Sequence, residues 1–346
     1  MITRRHLLLA GIAGAALASV PAHARCPGAP ILQQAYLPIG GIEQWVQIRG
    51  ADRRNPVLLI VHGGPGSTWD PFTDLFRDWE QHFTMVYWDQ RGAGKTYRKT
   101  GESIRETMTI ERMRDDGIEL ADYLRQQLGT RPIIILGHSW GSVLGVMMAQ
   151  KRPDLFAAYV GTGQVVSAVE AERVGRQMTL RRAEAAGRQD AVQALKDLGE
   201  PPYDDIQKMV AERKWAGTFD TPSDAAFDKS WRNPDWFSQT DSDERFNAWL
   251  FSNFIMYGQE RQDGPFMAVD LARSAPSFRV PVIFIQGEDD HITPASLVAD
   301  YEHQITAPRK ALVLLPGGGH NAVFAMKDRF LAALRRQLHE ITVRAA

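Results

Sequence analysis

Six short apolar runs, each closed by a glycine or a turn cluster, constrain this chain more than any other feature: NPVLLIVHGG (55–64), FTMVYWDQRG (83–92), RPIIILG (131–137), FAAYVGTG (156–163), VPVIFIQG (280–287) and KALVLLPG (310–317). Their hydrophobicity is continuous rather than alternating, the pattern of strands covered on both faces, as in a parallel sheet. Two further segments, QQAYLP (33–38) and EQWVQIRG (43–50), flank Gly40 and Gly41 and predict a hairpin. Helical patterns fill the intervals. In ERMRDDGIELADYLRQQLG the residues Met113, Gly117, Ala121, Leu124 and Leu128 share one face, and Gly129 is placed to act as C-cap. Strand, helix, strand in repetition predicts an α/β fold with a mostly parallel, doubly wound sheet.

The repetition breaks once. From about 165 to 276 no buried-strand pattern occurs; stretches rich in Ala, Arg and Glu are followed by an aromatic-rich region that includes Trp231, Trp236, Trp249 and Tyr257. The strand pattern resumes at Val280, as expected of one fold interrupted by an insertion. The chain therefore divides into a core, 25–163 and 277–346, and an inserted helical cap, 164–276. Most cap aromatics are expected to pack onto the sheet, with a few lining an apolar pocket.

Residues 1–24 read differently. Arg4 and Arg5 precede an uncharged run over 7–20, and Ala22-His23-Ala24 supplies a small-residue cleavage site. That order predicts an export signal, of twin-arginine type, with a mature chain beginning near Arg25 in the periplasm or outside the cell. The apolar run is shorter than the roughly 20 residues a bilayer span requires, so no membrane span is expected after cleavage. The single cysteine, Cys26, excludes an intrachain disulfide. With 40 basic and 41 acidic residues the charge gives no electrostatic case for nucleic acid as a partner.

The chemistry is concentrated where strands end. The run over 131–137 leads straight into Gly137-His138-Ser139-Trp140-Gly141 and then a helical pattern. A serine hydroxyl attacks a carbonyl only when a base takes its proton and the side chain stands clear of the backbone. A sharp strand-to-helix turn achieves the second condition, but it crowds strand and helix, so the flanking positions need glycine. Ser139 is thus a candidate nucleophile, and the helix start offers the Trp140 N–H to an oxyanion. On such a fold an acid and then a histidine follow in the chain. Glu288, Asp289 and Asp290 all stand after the strand 280–287 and compete for the acid; His320, in Gly317-Gly318-Gly319-His320-Asn321, is the base. The second oxyanion donor is expected from His62-Gly63-Gly64-Pro65-Gly66, with Gly64 the choice and His62 a packing residue of that loop. Arg91-Gly92-Ala93-Gly94-Lys95-Thr96 only imitates a phosphate loop, because Asp89 stands where the first glycine is required. No metal site is expected, since no histidine pair has helical ligand spacing.

HGGPG (62–66), WDQRGAGKT (88–96), GHSWGS (137–142), GEDDHITP (287–294) and GGGHN (317–321) together resemble an α/β-hydrolase of the prolyl iminopeptidase family. The resemblance spans about 33–163 and 278–335. It implies Ser139 as nucleophile, His320 as base, Asp290 as the acid through the spacing G-x-x-D, Gly64 and Trp140 as oxyanion donors, and no metal or organic cofactor. It weakens in the cap. The family holds the substrate amine with cap glutamates, one in a W-x-x-W-E type segment, and RFNAWLFSNFIMYG (245–258) lacks that glutamate. Glu212, Asp235, Asp241 and Glu244 are available instead, with nothing in the sequence to choose among them. The expectation is a serine hydrolase acting on a small-molecule or short-peptide substrate, an aminopeptidase for N-terminal proline or a similar small residue. The alternatives are an esterase or amidase, a carbon–carbon bond hydrolase, and a binding protein on the same scaffold.

Overall fold

The computed structural model describes residues 28–129, 132–231 and 239–345. The export segment, Cys26, Asp235 and Trp236 lie outside the described residues. Eight strands form one sheet: β1 (Ile31–Ile39), β2 (Ile42–Gly50), β3 (Val57–Val61), β4 (Thr84–Trp88), β5 (Ile133–His138), β6 (Phe156–Thr162), β7 (Val282–Gly287) and β8 (Lys310–Leu315). Their order is β1-β2-β4-β3-β5-β6-β7-β8. The β1–β2 hairpin turns at Gly40 and Gly41, and β2 joins β4 antiparallel. All later pairings are parallel. Among the described residues no helix is long and apolar enough to cross a membrane.

The continuous hydrophobicity of the strands now has its cause. Alternate residues point to opposite faces, and both faces are covered. Val57, Leu59 and Val61 join Ile133, Ile135 and Val282 in one cluster, with Met113 and Ala121 of α2 (Ile110–Leu128) and Val143 of α3 (Trp140–Lys151). Leu58 and Ile60 join Ile134, Leu136 and Ile283 in the other, with Trp79 and with Phe330 of α12 (Lys327–Ala345). The edge strand β8 departs from this rule, with Lys310 and Leu314 exposed and Leu315 buried. Helix α2 ends as its sequence predicts, at Gly129 with φ of 97°.

The segment that imitates a phosphate loop is a structural clasp. Short helix α1 (Gly94–Thr100) opens from it. Arg91, fully buried, donates to Asp116 on α2 at 2.9 Å, to the Gly40 carbonyl at 2.7 Å and to Thr107 at 2.9 Å. One guanidinium thus ties the hairpin, the β4 loop and α2 together, with a charge partner to offset its burial.

Between β6 and β7 the chain is helical: α4 (Ala168–Ala185), α5 (Gln189–Leu198), α6 (Ile206–Thr218), α7 (Pro222–Trp231), α8 (Gln239–Tyr257) and α9 (Leu271–Ser274). Ser167 and Asp205 cap α4 and α6 by accepting from Glu170 and Gln207 N–H groups. Ala183, Ala191, Val192 and Leu195 form a small apolar core of their own where α4 and α5 meet. After β7 come α10 (Ala295–Gln304), β8 and the short α11 (Ala322–Ala325).

Candidate active site

Parallel strands deliver their carboxyl ends to one edge of the sheet, and the site stands there. At the end of β5, Ser139 has φ of 53°, and it is the one non-glycine residue with positive φ among the described residues. That backbone region costs about 1–3 kcal/mol for a residue with a Cβ. It is the sharp turn that the sequence required, and α3 starts at the next residue. Both flanking glycines are needed for close approach. A Cβ at Gly137 would come within 2.7 Å of the Gly141 carbonyl oxygen, and one at Gly141 would overlap the Val61 carbonyl oxygen.

His320 reaches the serine from the loop after β8. Its Nε2 lies 3.0 Å from Ser139 Oγ, and its Nδ1 lies 3.0 Å from Asp290 Oδ2. Gly163, at the end of β6, leaves room for the ring, since a Cβ there would sit 3.0 Å from His320 Cε1. Of the three competing acids only Asp290 turns inward. It is fully buried, while Glu288 is exposed and Asp289 faces Arg182 at 3.6 Å.

Asp290 is held from all sides. Its Oδ1 accepts from the N–H groups of Ile292 and Thr293, each at 2.8 Å, and its Oδ2 accepts from Thr293 Oγ1 at 2.7 Å and Gln286 Nε2 at 2.8 Å. Burial pushes the carboxyl up, but the facing His320 and these donors outweigh burial and hold it down at about 2. Burial likewise lowers the His320 pKa, and Asp290, with Asp224 behind it, more than reverses this, raising it above its ordinary 6.5. The arrangement can take a proton from Ser139 Oγ and stabilise the resulting imidazolium.

The expected oxyanion donors lie on either side of the serine. Trp140 opens α3, where first-turn N–H groups have no acceptor within the helix. Gly64 lines the cavity beside Ser139, with φ of 110°. A network holds its loop. His62 donates from Nδ1 to the Gly63 carbonyl at 2.9 Å and accepts at Nε2 from the Gln90 N–H at 3.2 Å. Gln90 in turn donates to the His62 carbonyl at 2.9 Å and accepts from the Trp140 indole at 3.1 Å. Burial pushes His62 down to about 4, so the ring stays neutral and serves as a strut. Buried His138 is also neutral, lowered to about 3 by burial first and then by His320.

Above Ser139 lies a cavity of about 490 Å³. Its floor is Trp69, Phe72 and Phe324 from the core, and its cap side includes Met209, Val210, Arg213, Phe227, Asp228, Trp249 and Tyr257. Two of the cap aromatics singled out in the sequence, Trp249 and Tyr257, therefore reach the cavity, whereas Phe251 is buried in the core cluster. Of the four acids weighed from the sequence, neither Glu212 nor Glu244 is among the described residues that line the cavity. Glu212 is buried 4.0 Å from Arg213, Glu244 pairs with Arg98, the Asp241 side chain is not among those described, and Asp235 lies outside the described residues. Asp228 lines the cavity instead. A signal for it is present: Asp224 and Asp228 stand four apart, so that a helix brings them to one face.

The alpha/beta hydrolase fold family matches residues 56–325. The probable aminopeptidase YbaC of Bacillus subtilis is 28% identical over 305 residues, covering 87% of this chain and 94% of that protein. A proline iminopeptidase of Heyndrickxia coagulans is 25% identical over 295 residues, covering 82% and 91% respectively. Among solved structures, the proline iminopeptidase of Mycobacterium smegmatis superposes with a TM-score of 0.63 at 20% identity, over 91% of this chain and all (100%) of that one.

Proposed function

The chain belongs to the α/β-hydrolase fold family, and we propose that within it this protein is a serine hydrolase working by acyl transfer, an aminopeptidase that releases N-terminal proline or a similar small residue. The observation that carries this reading is the His320 ring, 3.0 Å from Ser139 Oγ on one side and 3.0 Å from Asp290 on the other. His320 takes the Ser139 proton as Oγ attacks the substrate carbonyl, and the N–H groups of Gly64 and Trp140 receive the developing oxyanion. The protonated His320 then gives its proton to the leaving amine. Water, deprotonated by the same ring, releases the acyl group.

The peptidase subclass is supported by the aminopeptidase and proline iminopeptidase names of the two relatives and by Asp228. A carboxylate in a mostly apolar cavity attracts the ammonium of a free amino terminus, and a small ring or aliphatic residue suits the remaining walls. A second reading, an esterase or amidase for small hydrophobic acyl groups, draws on those same apolar walls, Trp69, Phe72, Phe227 and Phe324. Purified protein lacking residues 1–24 is assayed with prolyl anilide, its N-blocked form and a short-chain acyl ester. Cleavage confined to the free-amine anilide is the expected result. Rapid ester cleavage with no dependence on a free amine replaces the peptidase reading by the esterase one and leaves Ser139 in the same role.

A further inference from the structure

We propose that Asp224, on cap helix α7, is a positioning residue for the catalytic base: its carboxylate grips the main chain on both sides of His320 and fixes the loop from which the imidazole reaches Ser139. The inference rests on the serine-hydrolase reading and adds a second carboxylate to it, one contributed by the cap.

The geometry is specific. Asp224 is only 2% exposed. Its Oδ1 accepts from the Gly319 N–H at 3.3 Å and its Oδ2 from the Asn321 N–H at 2.9 Å, the residues immediately before and after His320. The neighbouring Ser223 donates from Oγ to the Gly317 carbonyl at 2.9 Å. Thr221 secures the start of the helix by accepting from the Asp224 N–H at 3.2 Å. Two consecutive cap residues thus fasten a loop that the sequence makes loose, since Gly317, Gly318 and Gly319 precede His320. The last of these glycines is also explained: a Cβ at Gly319 would lie 2.7 Å from Asp224 Oδ2. Asp290 orients the imidazole through the ring nitrogen, and Asp224 orients it through the backbone that carries it. Buried N–H groups left without acceptors are costly, so removing the carboxylate frees the loop to seek other partners.

The carboxylate also acts at a distance. The charged and titratable groups around His320, among the described residues, are Asp290 and His291 after β7, Asp220 before α7 and Asp224 and Asp228 on it, Arg213 and Lys214 of α6, and His138 at the end of β5. Asp290 and Asp224 favour the imidazolium, whereas Arg213 opposes it. An Asp224→Asn protein therefore has a less basic His320. This shift follows from the charge alone; the slowed labelling at the plateau is the readout that reports the loop.

The test uses the labelling of Ser139 by an alkyl fluorophosphonate, which needs nucleophile and base but no particular substrate, with ester turnover where it is measurable. Asp224→Asn should slow labelling at the high-pH plateau at least about tenfold and move the acid limb of the rate to lower pH, with KM unchanged. A labelling rate and pH profile equal to those of the starting protein overturn the proposal. So does a lowered melting midpoint with an unmoved acid limb, or a change confined to KM. If Asp224→Asn does not fold, Gly319→Ala decides: its methyl group displaces the carboxylate while keeping the charge, so slower labelling with an acid limb little moved supports the proposal, and unchanged labelling overturns it. Failure of the starting protein to label at Ser139 overturns the serine-hydrolase reading itself, and this inference with it.

Discussion

The sheet edge and the cap both face Ser139, but the cap adds to its apolar packing a set of polar ties to core loops that the strands do not need. At the edge, β3, β5 and β7 are buried along their whole length, and Ser139 and Asp290 leave from strand ends packed on both sides. The cap has a small apolar cluster of its own around Ala183 and Leu195, joins the core cluster through Phe251, Met256 and Phe266, and adds polar ties to core loops. Arg182 donates to the Asp289 carbonyl at 2.8 Å, Ser252 to the Gly92 carbonyl at 2.8 Å and Asn253 to the Pro65 carbonyl at 2.9 Å. Apolar close packing fixes atoms to a fraction of an ångström, as bond making requires, while polar ties to loop carbonyls can be exchanged at little cost. On the proposed function, the difference implies a division of labour: reaction type belongs to the sheet edge and choice of substrate to the cap.

That division breaks if a change at the edge leaves any substrate turning over. Ser139→Ala should reduce turnover of ester and anilide alike by about 10⁴-fold to 10⁶-fold, measured with the purified protein. At the cap the expected effect is smaller and selective. Asp228→Asn should lower kcat/KM for the free-amine anilide by about 10-fold to 100-fold, the worth of one charge-assisted contact, while ester cleavage stays within twofold, about the scatter of a near-neutral change. Equal losses on both substrates would move Asp228 from recognition into the chemistry.

The pH profile sharpens the comparison further. A base must be neutral to accept a proton, and the folded pKa of His320 is raised above 6.5 by Asp290 and Asp224 against the opposing effect of burial. The acid limb of kcat/KM should therefore inflect above 6.5, falling about tenfold per pH unit below that point. Asp290, held at about 2, stays ionised throughout and adds no second inflection above pH 4. An acid limb centred below 6.5 contradicts the assigned environment of the ring.

Stability gives the smallest difference. Leu136 on β5 is fully buried and Trp249 on α8 is 40% exposed. Leu136→Ala should cost about 2–5 kcal/mol, and Trp249→Ala less than about 1 kcal/mol, as read from denaturant unfolding. A larger loss at Trp249 would add it to Phe251, Met256 and Phe266 as a cap residue that shares the core's cohesion.

The same contrast explains what the sequence discloses. All eight strands stand where the sequence predicts them, β3 to β7 because burial on both faces leaves a mark that is local and continuous, and β1 and β2 because Gly40 and Gly41 mark the turn between them. Ser139 and His320 are legible at strand ends next to glycines, whereas the choice of Asp290 among three neighbouring acids comes only from the family resemblance. Asp224 and Asp228 are not among the acids the sequence singles out, although both lie four residues apart on α7. Their importance arises only when the helix packs across the strand ends from a distant part of the chain. The hydrogen bonds from Gly319 and Asn321 to Asp224 span 95 and 97 residues, and no local pattern announces a pairing that remote.

The positive φ of Ser139 has a consequence for how such a chain persists. Glycine adopts that conformation freely, so Ser139→Gly should melt above the starting protein, by up to the roughly 1–3 kcal/mol that the turn stores. The inert chain is the more durable one. Selection for durability alone would discard Ser139 first, and on the proposed function only demand for the product keeps a serine at this bend.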